Sequence, residues 1–202
     1  MNNTYFITGI GTGIGKTIIS SILTEKLKAD YWKPIQSGDL EISDSLFVKH
    51  LVSLDTIIHP ESYRLSEPLS PHLSARLDGI EISLSSIKKP ETDNNLIIEG
   101  AGGLMVPLND KELILDLIKS LGAKVIIVSQ NYLGSINHTL LTIEMLKIHH
   151  IEIAGLIFNG IKNEESEQYI ENYSNVKVLG RIPKMSILNA ETIKKAAEHI
   201  TL

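Results

Sequence analysis

The chain has 202 residues, 43 % of them hydrophobic, a net charge of −5 and no cysteine. That length suits one domain over residues 1–202 with a full core and no staples, and the missing thiols exclude disulfides, thiolate metal sites and a cysteine nucleophile. The acidic balance, without a basic stripe, argues against nucleic acid; the lack of a long apolar run or a leader-like Met1-Asn2-Asn3-Thr4 start argues for a cytoplasmic protein.

In chain order, an apolar strand is expected over residues 4–8 and a helix over 16–28. A short strand ends at Trp32-Lys33-Pro34, and a helix spans 43–54 with Ser43 as its N-cap. Pro60, Pro68, Pro71 and Pro90 punctuate residues 55–93, where helical stretches are expected at 71–78 and 83–88. Strands over 95–99, 124–129, 153–159 and 176–180 then alternate with helices over 111–121, 135–149, 163–173 and 189–200. Continuous apolar strands mean that both sheet faces are covered. The expected fold is therefore α/β: three layers, a mostly parallel central sheet with helices on both faces.

Between the first strand and helix lies Gly9-Ile10-Gly11-Thr12-Gly13-Ile14-Gly15-Lys16-Thr17. Glycines let backbone N–H groups turn inward on a polyphosphate, and the helix N-terminus adds its partial positive charge. Lys16 then reaches the outer phosphates and the Thr17 hydroxyl can join a magnesium shell. This is a P-loop, so the fold reads as a P-loop NTPase that binds a nucleoside triphosphate. Gly9 stands one residue further from Gly15-Lys16-Thr17 than the usual spacing allows, and Ile14 breaks a dinucleotide fingerprint.

Ligands of such a fold sit beyond the carboxyl ends of the strands, which draws attention to Lys33, Glu99, Ser129 and Asn159. Glu99 either serves magnesium or caps the N–H groups of Gly100-Ala101-Gly102-Gly103. Lys33 either stabilises anionic charge or is a solvated strand end. Asp44 either reaches the metal or complements the dipole of its helix. Ser37 is a loop hydroxyl, and the seven histidines show no ligand spacing.

Taken together, these blocks resemble the dethiobiotin synthetases along essentially the whole chain. The family's P-loop has the same long spacing. The specific blocks are Lys33-Pro34-Ile35-Gln36-Ser37-Gly38 with Asp44 after it, Glu99-Gly100-Ala101-Gly102-Gly103, and Gly134-Ser135-Ile136-Asn137-His138; Glu67-Pro68-Leu69-Ser70-Pro71-His72 belongs to the same resemblance. The resemblance implies an ATP-dependent ligase of biotin synthesis. It carboxylates 7,8-diaminopelargonate with CO2 or bicarbonate and closes the ring through a carbamate and a carbamic–phosphoric anhydride. It also implies Mg²⁺, with ATP as co-substrate. By the same match Lys16 and Lys33 are catalytic, and Thr17, Asp44 and Glu99 surround the metal. ATP is bound by Gly13, Ile14, Gly15, Lys16, Thr17, Ile18, Asp44, Glu99, Gly100, Ala101 and Gly102, with Asn159, Gly160, Pro183, Lys184 and Met185 at the base. Thr12 and Ser37 meet the carbamate. Asn137 and Tyr169 hold the substrate at a homodimer interface, with no nucleic-acid or membrane partner.

One departure is Gly13, where many members of the family carry an acid. Rival readings fare worse. Cobyrinate-type amidases need a glutaminase cysteine, and partition-type ATPases carry an extra lysine early in the P-loop, where this chain has none. A small-molecule kinase would need an arginine-rich lid, and no such segment is present.

Overall fold

The computed structural model describes residues 2–202; Met1, the first residue of the expected single domain, lies outside them. Strand β1 (Thr4–Gly9) leads through the glycine loop to α1 (Lys16–Leu27), then β2 (Asp30–Trp32), β3 (Ile35–Ser37) and α2 (Asp44–Leu51). Next come β4 (Ile58–His59), β5 (Tyr63–Leu65), α3 (Pro71–Leu77) and β6 (Leu96–Glu99). The second half runs α4 (Ile114–Leu121), β7 (Lys124–Gln130), α5 (Ser135–Ile148), β8 (Ile153–Asn159), α6 (Glu164–Ser174), β9 (Val178–Ile182) and α7 (Ala190–Ala196).

Seven strands form one sheet in the order β4-β2-β6-β1-β7-β8-β9, and its neighbours are parallel. Side chains alternate across it, so each apolar strand feeds two cores. Phe6, Ile98, Val125 and Ile127 face a layer containing α4, α5 and α6. Tyr5, Ile7, Ile97, Ile126 and Val128 face α1, α2 and α7. This is the expected three-layer architecture. β2, β4 and β6 lie on one side of β1, and β7, β8 and β9 on the other. The winding thus reverses at the centre, where parallel sheets place their ligands. The register sets Ile7 beside Glu99 and Gly9 beside Val128, so β6 ends two residues before β1 does.

The differences from expectation are local. The helix expected from residue 111 starts at Ile114, because Asn109 Oδ1 accepts the N–H groups of Lys111 and Glu112 and holds them in a turn. The stretch at 83–88 makes only a 3-10 turn over Leu84–Ser86, and the last helix becomes 3-10 over Ala197–His199. The last strand lies two residues later than expected. Ser43 does cap α2, its side chain accepting from Leu46 N. Strands β3 and β5, absent from the sequence reading, pair in parallel as a separate two-stranded sheet. They are short because Pro34 and Pro60 interrupt the runs that contain them.

That small sheet positions the segment after Lys33. Gly38 has φ +71°, and a Cβ there would lie 2.5 Å from the backbone of Pro68. Gly38→Ala is therefore expected to cost about 1–3 kcal/mol of stability, read from urea unfolding. An unchanged midpoint would mean that this crossing yields freely.

Candidate active site

A cleft of about 820 Å³ opens beyond the carboxyl ends of β1, β2 and β6, a size that accommodates a nucleotide-scale ligand. Thr12, Gly13, Gly15, Lys16, Thr17 and Ile18 form one wall, and Ile42, Phe47, Leu69 and Pro71 stand opposite. The loop is braced from beneath. Asn159, at the end of β8, donates from Nδ2 to Ile14 O at 2.8 Å. Gly15 at the α1 N-cap has φ +90°, and a Cβ on it would come within 2.1 Å of the same Nδ2. Glycine is needed there both for its conformation and for the close approach. Ile14 turns its buried side chain against Gly9, so it anchors the loop rather than lining the cleft.

At the cleft floor side chains from three other parts of the chain converge on one carboxylate. Glu99, at the end of β6, is 1 % exposed. Its Oε1 accepts from Thr17 Oγ1 at 2.9 Å and from Lys33 Nζ at 3.1 Å, and its Oε2 accepts from the Tyr31 hydroxyl at 2.9 Å. Lys33 Nζ also reaches Asp44 Oδ2 at 2.7 Å, and Thr17 Oγ1 lies 3.0 Å from Asp44 Oδ1. Burial alone would push the Lys33 ammonium down, but Glu99 and Asp44 outweigh it and hold Lys33 above its ordinary value. Burial likewise works to raise Asp44, and the Lys33 charge reverses this, keeping the carboxyl below its usual range. Lys16 folds back so that Nζ donates to Gly11 O at 3.0 Å. Burial dominates there and lowers its pKa to about 8, with Glu99 opposing, Lys33 adding to the fall and Asp44 opposing.

Magnesium fits this floor. The Thr17 hydroxyl has one proton, yet stands within hydrogen-bond distance of oxygens from two different carboxylates. Three hard oxygens, Thr17 Oγ1, Asp44 Oδ1 and Glu99 Oε1, thus gather with too few protons among them, an arrangement that a hard cation relieves. Among the described residues no three His, Cys, Asp or Glu side chains form a metal cluster. A magnesium ion here would take part of its shell from phosphate oxygens and water, as Mg²⁺ usually does.

Of the other expected site residues, Gly100, Ala101, Gly102 and Ser37 line the same cleft, and Ser37 Oγ is buried without a partner. Asn159 touches the loop, whereas Gly160, Pro183, Lys184 and Met185 lie outside the cleft lining, at and beyond the ends of β8 and β9. Asn137 and Tyr169 come together in a second hollow of about 770 Å³ between α5 and α6, and within one chain they do not line the P-loop cleft.

Two residues escaped the sequence reading. Tyr31 binds Glu99, and its signal was parity, since it stands two residues before Lys33 on a strand. Gln36 donates from Nε2 to Gly38 O at 2.9 Å and accepts at Oε1 from Asp44 N at 3.3 Å, tying the loop to the start of α2. Nothing in a lone glutamine would have announced that clamp.

Residues 3–192 match the AAA_26 family, described as an AAA domain. A protein of Christiangramia forsetii named ATP-dependent dethiobiotin synthetase BioD is 53 % identical over 199 residues, covering 98 % of this chain and 96 % of its own. The chain belongs to the dethiobiotin synthetase family. A second relative of that name, from Cytophaga hutchinsonii, is 51 % identical over 191 residues, or 94 % of this chain and 92 % of its own. Among solved structures, a ParA family ATPase from Chlorobium tepidum superposes with a TM-score of 0.60 at 15 % identity, covering 98 % of both chains. A chain of the MinC:MinD cell division protein complex of Aquifex aeolicus gives 0.57 at 16 % identity, over 96 % of this chain and 86 % of that one. At such identity these two share the fold alone. This chain thus sets Lys16, at the start of α1, and Lys33, just beyond β2, at the edge of a sheet fold that it shares with these two structures.

The lowered Lys16 gives a pH test. Phosphate binding favours the ammonium, so above pH ~8 the nucleotide-free protein must take up a proton to bind. Affinity for ADP should weaken as pH rises above about 8, by up to about tenfold per unit. Calorimetric titration should show proton uptake growing over the same window. Affinity flat across it would mean that Lys16 is already fully charged in the free protein.

Proposed function

We propose that the chain makes dethiobiotin from 7,8-diaminopelargonate, CO2 or bicarbonate, and ATP. The observation that carries this is the pair of lysines, Lys16 and Lys33, set into one cleft around Thr17, Asp44 and Glu99. Phosphoryl transfer needs positioning and neutralisation of charge more than covalent help from the protein, and such a pair supplies both. The names of the relatives, ATP-dependent dethiobiotin synthetases, support the same chemistry.

One amine of the substrate takes up CO2 as a carbamate, whose oxygens meet Thr12 and the unpartnered Ser37 hydroxyl. Residues 13–18 wrap the phosphates with N–H groups at the start of α1. Lys16 follows the outer phosphates. Lys33 faces the carbamate as it attacks and gains the γ-phosphoryl, giving a mixed anhydride. The second amine then attacks the anhydride carbon, expels phosphate and closes the cyclic urea. Magnesium, held by Thr17, Asp44 and Glu99, supplies neutralising charge to the phosphates when bound. With Asn159 Nδ2 engaged by Ile14 O, the amide oxygen is the group left to accept from the exocyclic amine of adenine. Gly160 and the Pro183–Met185 segment follow as the wall of the base site.

Asn137 and Tyr169 act from the second hollow, across a homodimer interface, on the far carboxylate of the substrate. Exposed Leu133, Ile161 and Tyr169 around that hollow support a covered face. Among the described residues no helix is long and apolar enough to cross a membrane, and a cytoplasmic site of action suits a reaction fed by ATP.

With diaminopelargonate, bicarbonate, Mg²⁺ and ATP, the purified chain should release ADP and phosphate and form dethiobiotin. ATP turnover indifferent to the diamine would sink this reading. Lys33→Ala should lower kcat by about 10²-fold or more; near-normal kcat would reduce Lys33 to a counter-ion of the acids.

A further inference from the structure

Tyr31 is fully buried on β2, in the core beneath α1 and α2. Its register partner on the neighbouring strand is Ile97. Glu99 follows Ile97 by two residues, so its side chain emerges on the same face. The ring therefore lies along the sheet, and its hydroxyl meets Glu99 Oε2 at 2.9 Å. The carboxylate is left divided. Oε2 is held from the core side, while Oε1 receives both Thr17 Oγ1 and Lys33 Nζ from the cleft side.

We infer that Tyr31 is a positioning residue: by occupying Oε2 it fixes the carboxyl plane of Glu99 and presents Oε1 alone to Thr17 and to the magnesium of the nucleotide. This rests on the reading that ATP and Mg²⁺ occupy the cleft. A carboxylate with both oxygens free could rotate toward Lys33, engaging the ammonium with two oxygens and withdrawing from the metal. The tyrosine removes that choice. Its hydroxyl is the donor of this pair, since an ionised carboxylate offers only acceptors. Partners that orient metal ligands typically govern metal affinity by about 10–100-fold.

The test is Tyr31→Phe, which removes one oxygen and keeps the ring. Two affinities are compared with those of the unaltered chain: Mn²⁺ for the protein–ADP complex, by electron paramagnetic resonance, and ADP itself in excess chelator. Mn²⁺ affinity should fall about tenfold or more, with metal-free ADP affinity unchanged. Equal losses in both would mark a general distortion of the cleft and overturn the inference, as would unchanged Mn²⁺ affinity. Should Tyr31→Phe not fold, the unaltered chain labelled at the tyrosine ζ-carbons serves instead. The tyrosine whose hydroxyl is protected from solvent exchange should shift when Mg²⁺ is added to the ADP complex, and a resonance indifferent to Mg²⁺ would overturn the inference. Dethiobiotin is measured in neither experiment, so failure of the synthetase reading and failure of this one remain separate results.

Discussion

Glu99 ends a central strand with almost none of its surface in water, and a lone carboxylate in such a place would be too costly to keep ionised. Its partners come from three other parts of the chain: Thr17 from the first turn of α1, Tyr31 from β2 and Lys33 from just beyond it. Lys33 in turn draws in Asp44 from the start of α2. Satisfying one buried charge thus fixes the relative positions of the P-loop, the second strand and the second helix. Buried pairs of this kind are weak evidence for stability, since desolvation consumes much of the attraction. What they set here is geometry: a group of oxygens and ammoniums already in place before any ligand arrives.

Preorganisation of that kind is what phosphoryl transfer asks of a protein. The P-loop has the same property from a different source. Asn159 reaches from β8 to hold Ile14 O, and Gly15 leaves room for the amide to do so. Gln36 performs the matching service on the other wall, clamping Gly38 and the Asp44 backbone. Three uncharged contacts, one from a distant strand and two local to the segment before α2, therefore support the charged ones. None of the supporting residues needs to touch a phosphate to matter.

The layered fold was legible because continuous apolar strands admit few other arrangements, and the P-loop because its glycines have a mechanical reason. Lys33 and Glu99 were legible as strand-end residues, Lys16 as part of the P-loop and Asp44 as the start of a helix, their grouping only through family resemblance. Harder to see were β3 and β5, too short and proline-bounded to show a period. The turn that delays α4 was hidden as well, because Asn109 competes locally with a helix whose pattern continues upstream. Tyr31 looked like core, and it is core; its single polar atom carries the consequence. Such roles depend on which strand lies alongside, and sequence spacing does not encode that directly.

Gly13 becomes intelligible as a matter of charge. It sits at φ +73° with open space where a Cβ would be, a backbone state that glycine enters without strain. Where many family members place an acid, this loop has none, and the cleft holds two lysines against two buried or half-buried carboxylates. The exposed Asp39 lines the cleft as well, so even with Lys16 protonated the lining carries one net negative charge. A further carboxylate on the loop rim would hold Lys16 protonated more firmly, and would also repel an incoming triphosphate. With glycine there, no carboxylate of the loop itself stands beside Lys16, whose pKa burial lowers to about 8, so the charge of this lysine responds to pH where an ordinary lysine's does not.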